Sequence, residues 1–245
     1  MQNLECQESE VWTKEKFHEV LKEIGTRRYH SNHPFHLRMH EGSLSKEEVR
    51  AWIINRFYYQ VNLPVKDSII LSKLPSREDR RVWIQRILDH DGPPLKENNG
   101  TGATGGGIDA WVSLAEAAGI SKDVLHDESS VHPSARFAVD AYVNFARNKS
   151  WYEAVASSLT ELFAPNLISK RIEIFEEHYS WVKPEGLQYF KNRLSQAPRD
   201  CEHALGLVLT HGVTKERQEQ AVKALNFKCD VLWSLLDATE KAAQI

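Results

Sequence analysis

Cysteine is scarce in this sequence, and its spacing carries no motif. The 245 residues contain three cysteines, Cys6, Cys201 and Cys229, and no two of them have C-x-x-C spacing. An odd, scattered set is typical of a reducing compartment and provides no disulfide framework. We therefore expect neither a cysteine-bound zinc ion nor a disulfide-stabilised fold.

Long apolar runs and a surplus of positive charge are also absent. No stretch approaches the roughly 18 consecutive apolar residues of a membrane span, and the N-terminal MQNLECQESEVW has no apolar signal segment. The net charge is −3, so a sequence-independent grip on nucleic acid is not expected. We expect a cytoplasmic protein with no membrane or nucleic-acid partner.

The helical period of 3.6 residues recurs along nearly the whole chain, and no segment alternates convincingly as a strand would. This pattern predicts an all-α, compact helical bundle. Ser45 and Glu48 form a capping box that begins one helix, and Pro64 is expected to kink or split it. No composition shift divides the chain, so we expect one domain, residues 1–245. The later predicted helices are 134–148, 150–163, 166–178, 185–196, 199–211 and 215–242.

A glycine-rich stretch, DGPPLKENNGTGATGGG at 91–107, interrupts the helical pattern. It contains a literal G-x-G-x-x-G at Gly100, Gly102 and Gly105. That motif binds dinucleotides only when it follows a β-strand and begins a helix. Since a helical pattern precedes it here, we interpret 91–107 as a surface loop or lid over the helical core.

Histidines are concentrated near the N-terminus, where His30, His33, His36 and His40 lie within eleven residues. They could bind a metal, carry protons around an organic ligand, or form a polar turn. The H-E-x-x-H motif of zinc enzymes is absent. Helical di-iron sites need two carboxylate–histidine pairs and two further carboxylates. The pairs with suitable spacing are Glu15 with His18 and Asp200 with His203.

A polar stripe crosses the helix that follows Ser45. Arg56, Tyr59 and Gln60 are spaced i, i+3 and i+4, so they share one helix face. Lys66 follows shortly afterwards. A solvated arginine beside a half-buried tyrosine would give the same pattern, so the stripe alone does not establish a site.

Other polar side chains interrupt apolar helices. Tyr189 and Arg193 are four residues apart, and Lys228 lies in an otherwise apolar helix, where a lone lysine usually extends toward solvent. His90 ends a predicted helix, where the helix dipole favours its protonated form. Each of these residues has an ordinary structural explanation when taken alone.

Several long motifs together resemble the pyrroloquinoline-quinone synthase family, in the same order from about residue 15 to residue 240. They are RYHSNHPFH, NRFYYQ, RRVWIQRILDHDG, RFAVDAYVNFAR, SSLTELFAP and SQAPRDCEH. The resemblance implies a heme-oxygenase-like helical fold and a homodimer. It also implies the last step of pyrroloquinoline quinone (PQQ) biosynthesis. In that step dioxygen, without metal or other cofactor, drives ring closure and eight-electron oxidation of a tricarboxylate quinone precursor, and hydrogen peroxide is released.

The resemblance also implies site residues, position by position. A substrate with three carboxylates requires fixed cations, and the reaction requires acids and bases near neutral pH. His33 and His36 are then expected to shape and cap the turn into the next helix. The implied catalytic residues are His30, His90, Tyr142, Tyr189 and Arg193. The implied substrate-binding residues are Tyr29, Arg56, Tyr59, Gln60, Lys66, Glu161, Arg171 and Lys228.

One departure from the family pattern concerns oxygen chemistry. The family has a histidine three residues beyond the proline of TELFAP, and this chain has Ile168 there. An aliphatic side chain can neither donate a hydrogen bond to peroxide nor relay a proton. Ile168 could therefore slow or halt late oxidation steps, or mark a protein that binds the precursor without oxidising it.

Metal-dependent members of the same fold provide a rival interpretation, a di-iron oxygenase. His90, Glu161, Asp200 and His203 stand at ligand positions of such a centre, but Trp83 and Gln196 stand where two more ligands are required. Thiaminase-like members use a catalytic cysteine, and none of the three cysteines here lies in a motif resembling theirs. We expect no metal ligands in this chain.

Overall fold

A computed structural model of the protein describes residues 10–94 and 105–243. These residues contain no β-strand, so the all-α prediction is confirmed. Short 3-10 turns cover His30–Asn32, Ser157–Phe163 and Pro184–Leu187. The α-helices are α1 Lys14–Arg28, α2 Pro34–His40, α3 Lys46–Lys73, α4 Arg77–Asp91, α5 Gly106–Ala117, α6 Lys122–His126, α7 Pro133–Asn148, α8 Trp151–Ala156, α9 Ala164–His178, α10 Gln188–His211 and α11 Lys215–Ala242.

Polar side chains at the helix N-termini satisfy backbone N–H groups that have no partner inside the helix. The predicted capping box of α3 is present, since Ser45 and Glu48 bond each other's backbone. A second box, Ser150 with Glu153, begins α8. His33 caps α2 by accepting a hydrogen bond from the backbone N–H of Phe35 at 3.0 Å, as expected.

The prolines do not divide the helices as predicted. Helix α3 continues through Pro64, so of the two predicted effects, a kink or a split, the split does not occur. Helix α10 continues through Pro198, so the predicted break between 185–196 and 199–211 is wrong. A proline removes one hydrogen bond of a helix, but buried residues lie on both sides of each proline. Packing of these faces outweighs the local preference. The predicted helix 150–163 is instead α8 followed by a 3-10 turn.

Helix α3 lies at the centre of the bundle, where it packs against α4, α5, α7 and α11. Helix α10 packs against α8 and α9. The buried apolar residues form three clusters, and polar side chains from α3, α4, α7, α9, α10 and α11 converge on a cavity among them. No helix among the described residues is both long and apolar enough to cross a bilayer.

Glycines join the end of α4 to the start of α5. Gly92 has φ +90° and Gly106 has φ +82°, values that side-chain-bearing residues rarely adopt. A Cβ on Gly106 would lie 2.4 Å from the backbone nitrogen of Gly92 and 2.5 Å from the carbonyl oxygen of His90. Gly100, Gly102 and the predicted loop or lid between residues 95 and 104 lie outside the described residues. The element before the stretch is α4, a helix, rather than the β-strand that a dinucleotide motif requires.

Candidate active site

A cavity of about 860 Å³, including its opening to solvent, lies inside the bundle. Its lining combines aromatic side chains with a small number of charged and polar ones, as small-molecule sites do. Of the thirteen residues that the sequence predicts for the site, twelve line this cavity. They are Tyr29, His30, Arg56, Tyr59, Lys66, His90, Tyr142, Glu161, Arg171, Tyr189, Arg193 and Lys228. The thirteenth, Gln60, lies just behind the wall and accepts a hydrogen bond from the Tyr189 hydroxyl at 3.1 Å.

One wall holds two arginines paired with two carboxylates. Arg86 of α4 donates to Glu161 at 2.8 Å and to the carbonyl oxygen of Asp200. Arg193 of α10 lies 3.3 Å from both Glu161 and Asp200. Burial raises the pKa of Glu161, and the arginines offset only part of this effect. Burial acts on Asp200 in the same direction, but Arg86, Arg193 and Arg199 hold the pKa of Asp200 below its ordinary value.

A second ion pair lies at the floor of the cavity. The buried Lys66 donates to its neighbour Asp67 at 2.6 Å, and Ser158 lies 3.4 Å away. Burial opposes the charged form of Lys66, but Asp67 outweighs burial, and the pKa of Lys66 is raised. Lys66 is therefore a fixed positive charge.

Three cations in the cavity have no carboxylate partner among the described residues: Arg56, Arg171 and Lys228. Lys228 is buried, with its Nζ 2.6 Å from the Tyr59 hydroxyl and 3.4 Å from the centroid of the Tyr142 ring. Burial, followed by repulsion from Lys66 and Arg56, holds the pKa of Lys228 well below its usual range. An anionic ligand would relieve this repulsion.

Two neutral histidines, His30 and His90, line the cavity. Burial, reinforced by Arg56 and Arg171, holds the pKa of His30 well below 6.5. Burial and Arg193 do the same for His90, and these effects outweigh the helix dipole, which favours the protonated form. The Nδ1 of His90 is buried and has no hydrogen-bond partner in the described ranges 10–94 and 105–243. Both histidines can accept a proton.

Tyrosine hydroxyls complete the polar lining. Burial raises the pKa of Tyr59 and of Tyr29, so both stay protonated and can act as hydrogen-bond donors. Tyr142 stacks on Tyr59 with ring centroids 6.3 Å apart. Tyr189 lies edge-on to Trp111 at 4.9 Å. The aromatic walls are suited to a flat organic ligand.

Ile168 lies in the cavity wall, with Ala164 and Leu167 also contributed by α9. It is one turn before Arg171, so both project from the same helix face. These three side chains give the cavity an apolar surface beside Arg171.

The residues of the rival di-iron interpretation do not form a ligand set. Arg86 and Arg193 bind the carboxylates of Glu161 and Asp200, and His203 lies 3.4 Å from Asp79 instead. The one group of possible metal ligands found among the described residues is His33, Asp237 and Glu240, away from the cavity. Burial raises the pKa of the Cys201 and Cys229 thiols to about 12 and about 11, so neither is an activated nucleophile.

Sequence reasoning missed several polar residues of the site, among them Ser158 and Thr160 in the cavity lining. Arg86 and Asp67 line the cavity, and His36, expected to shape the turn into α2, also contacts Arg171. Arg86 lies four residues before His90 on α4, and this spacing is the signal that could have identified it. Asp67 follows Lys66 directly, a spacing that ordinarily puts side chains on different helix faces.

The fold is of the heme oxygenase-like class. The structure matches a domain with a heme oxygenase-like fold from Shewanella denitrificans OS217 with a TM-score of 0.70 at 12% identity, covering 94% of this chain and 91% of that one. It matches a TenA homologue from Pseudomonas syringae pv. tomato DC3000 with a TM-score of 0.68 at 14% identity, covering 93% and 92%. Identities this low support the fold alone.

The family follows from sequence. Residues 18–238 match the model of the TENA/THI-4/PQQC family, and the chain belongs to this family. It is 51% identical to the pyrroloquinoline-quinone synthase of Pseudomonas aeruginosa LESB58 over 230 residues, covering 94% of this chain and 88% of the relative. It is 50% identical to the enzyme of that name from Ectopseudomonas mendocina, covering 95% and 90%.

Proposed function

We propose that this protein catalyses the last step of PQQ biosynthesis, in which dioxygen oxidises a tricarboxylate quinone precursor with ring closure and release of hydrogen peroxide. The observation that carries the proposal is the charge of the cavity. Six cationic side chains line it, Arg56, Lys66, Arg86, Arg171, Arg193 and Lys228, against three carboxylates, Asp67, Glu161 and Asp200. Three of the six have no carboxylate partner among the described residues, which matches a ligand with three carboxylates, and such an anion would also favour the charged form of Lys228.

The unmatched charge is concentrated where a ligand can reach it. Arg86, Arg193 and Lys66 have carboxylate partners, whereas Arg56, Arg171 and Lys228 have none among the described residues. Buried charges without partners are unfavourable, and a bound carboxylate supplies the missing charge through strong charge-assisted hydrogen bonds. The cationic set therefore fixes the precursor and holds its quinone oxygens.

Proton transfer falls to the neutral histidines and the tyrosines. His90 has a buried Nδ1 that no other described residue bonds, and this nitrogen can accept a proton from substrate carbon or nitrogen. His30 provides a second acceptor, beside Tyr29 at a ring-centroid distance of 4.4 Å. Tyr142 and Tyr189 act as donors in later steps, and Arg193 stabilises developing negative charge on oxygen.

The precursor carries its own electron sink, the quinone, and dioxygen is the terminal acceptor. We propose that the reaction uses no metal or organic cofactor. The guanidinium groups of Arg86 and Arg193 support this, because they bind the carboxylates that a metal would otherwise use. By resemblance we further propose a single-domain chain that forms a homodimer in the cytoplasm.

A second candidate function, binding of the precursor without oxidation, is favoured by one observation. Ile168 lines the cavity and cannot relay a proton. A protein that only binds would need the cations alone, yet His30, His90, Tyr142 and Tyr189 all line the same cavity. These acid–base groups favour the enzyme.

The proposal is tested by anaerobic titration of the purified protein with the precursor quinone, followed by admission of air. A spectral shift that saturates at one precursor per chain, and then conversion to PQQ, supports the proposed enzyme. Binding that stalls after air favours the binding protein, and Ile168→His should then restore turnover. Absence of binding would refute both candidates.

A further inference from the structure

Arg171 has no carboxylate partner among the described residues, so another group must hold it. Its side chain is buried on α9, and its one side-chain hydrogen-bond partner in the described part of the chain is His36, at 3.0 Å between Nη2 and Nε2. The guanidinium also lies over the Trp52 ring, 5.0 Å from the centroid. Its Nε is also buried, and no atom of the described residues accepts a hydrogen bond from it.

The contacts of His36 define its protonation. An arginine can only donate, so Nε2 of His36 must be the acceptor and carry no proton. The other nitrogen, Nδ1, lies 2.9 Å from the carbonyl oxygen of His30, which can only accept, so Nδ1 must carry the proton. The groups around the ring favour this neutral form. Burial, and then repulsion from Arg171, hold the pKa of His36 well below 6.5.

We propose that His36 is a positioning residue that fixes the Arg171 guanidinium for a substrate carboxylate while leaving its positive charge uncompensated. This inference rests on the proposed function and adds a residue to it. Arg86 and Arg193 are held by Glu161 and Asp200, and their charge is largely offset. A neutral imidazole fixes the orientation of the Arg171 guanidinium and does not offset its positive charge. The same ring bonds the backbone of His30, so it couples a substrate-binding cation to a catalytic histidine.

The first test needs no substrate. Nitrogen NMR of histidine-labelled protein should show His36 as the neutral tautomer with the proton on Nδ1, and the Nε2 signal should move in Arg171→Met. A His36 ring that carries its proton on Nε2, or that is doubly protonated at pH 6, would overturn the inference, because neither form can accept from Arg171.

The second test separates the two contacts of His36 by variants. His36→Gln keeps an acceptor near the position of Nε2, and His36→Asn keeps only a polar group near Nδ1. In the anaerobic titration we expect His36→Asn to raise the Kd for the precursor roughly tenfold or more and His36→Gln to stay within roughly threefold of wild type. The saturated oxidation rate should change less than Kd.

The matched control is His33→Ala. His33 caps the same short helix but contacts Asp237 rather than Arg171. This variant should lower the melting temperature and leave Kd unchanged. If it weakens binding as much as His36→Asn does, then His36 acts only by stabilising α2, and the inference is wrong.

A double-mutant cycle completes the test. In an Arg171→Met background, His36→Asn should have no further effect on Kd, since the residue it positions is absent. Additive effects would overturn the inference. If His36→Asn does not fold, His36→Gln decides, and a Kd more than roughly tenfold above wild type refutes the role. If the wild-type chain binds no precursor, the proposed function fails, whereas a wild type that binds and a His36→Asn variant that binds equally well refute only this inference.

Discussion

At the scale of single residues, the arginines of the cavity fall into two kinds with opposite expected effects. Arg86 is buried between Glu161 and Asp200, so Arg86→Met leaves the buried Asp200 and the partly buried Glu161 with less compensation. We expect it to lower the free energy of unfolding by about 3–5 kcal/mol, measured by urea denaturation. Exposed Arg81 on the same helix provides the control, and Arg81→Ala should change stability by less than about 0.5 kcal/mol. Equal stability of Arg86→Met and wild type would contradict the paired arrangement.

Arg171 should behave in the reverse way. It has no carboxylate partner in the described part of the chain, so Arg171→Met removes an uncompensated charge and should change stability by less than about 1 kcal/mol. Precursor binding should weaken by about 2–5 kcal/mol if the guanidinium pairs a buried substrate carboxylate. Calorimetry of unfolding and anaerobic titration measure the two effects. Loss of stability without loss of binding would assign Arg171 a structural role.

Sequence spacing could predict which side chains share a helix face, but not which helices bring those faces together in the cavity. The face of Arg56, Tyr59 and Gln60 follows from helical spacing alone. The approach of Lys228 to Tyr59 could not be derived in that way, because the two residues are 169 positions apart and meet only through packing of α11 on α3. The acceptor role of His36 depends in the same way on α9.

At the scale of elements, the junction of α4 and α5 explains part of the glycine-rich stretch. Gly106→Ala would place a Cβ 2.4 Å from the backbone of Gly92, so we expect displacement of α5 from His90, a lower melting temperature and loss of turnover. The control is Gly206→Ala, an exposed position within α10 with no atom within 4 Å of the added Cβ. That variant should raise stability by about 0.5–1 kcal/mol. A fully active Gly106→Ala protein would contradict the close junction.

Helix boundaries show what local patterns can and cannot determine. Caps such as Ser45 with Glu48 are local and were predictable. Prolines were misleading, because α3 and α10 continue through Pro64 and Pro198. The local rule treats a helix as isolated, whereas here the faces on either side of each proline are buried against neighbouring helices.

At the scale of the whole molecule, burial of neutral histidines should make stability depend on pH. The pKa values of His30, His36 and His90 are well below 6.5 in the folded protein. Below pH 6.5 the unfolded chain binds protons that the folded chain excludes, so stability falls as the pH falls. For each histidine, the free energy of unfolding should fall by up to about 1.4 kcal/mol per pH unit as the pH is lowered. Denaturation at several pH values between 7.5 and 5 measures it, and His90→Gln should reduce the slope. A stability that is flat or rises toward pH 5 would contradict neutral burial.

The all-α architecture was predictable from periodicity, because apolar residues recur at helical spacing through almost every segment. The arrangement of the helices around a charged cavity was not predictable from periodicity, which does not specify helix neighbours. Family resemblance supplied that information. The single-domain organisation and the homodimer remain predictions.

The most direct test of the proposed enzyme is a pulse of oxygen given to the anaerobic complex of metal-depleted protein and precursor. Metal content is measured beforehand, and the spectrum and hydrogen peroxide are followed afterwards. The expected result is PQQ together with peroxide, at a rate that added iron does not raise. A bound precursor that remains unoxidised without metal, and is oxidised once iron is added, would contradict oxidation by the chain's own residues.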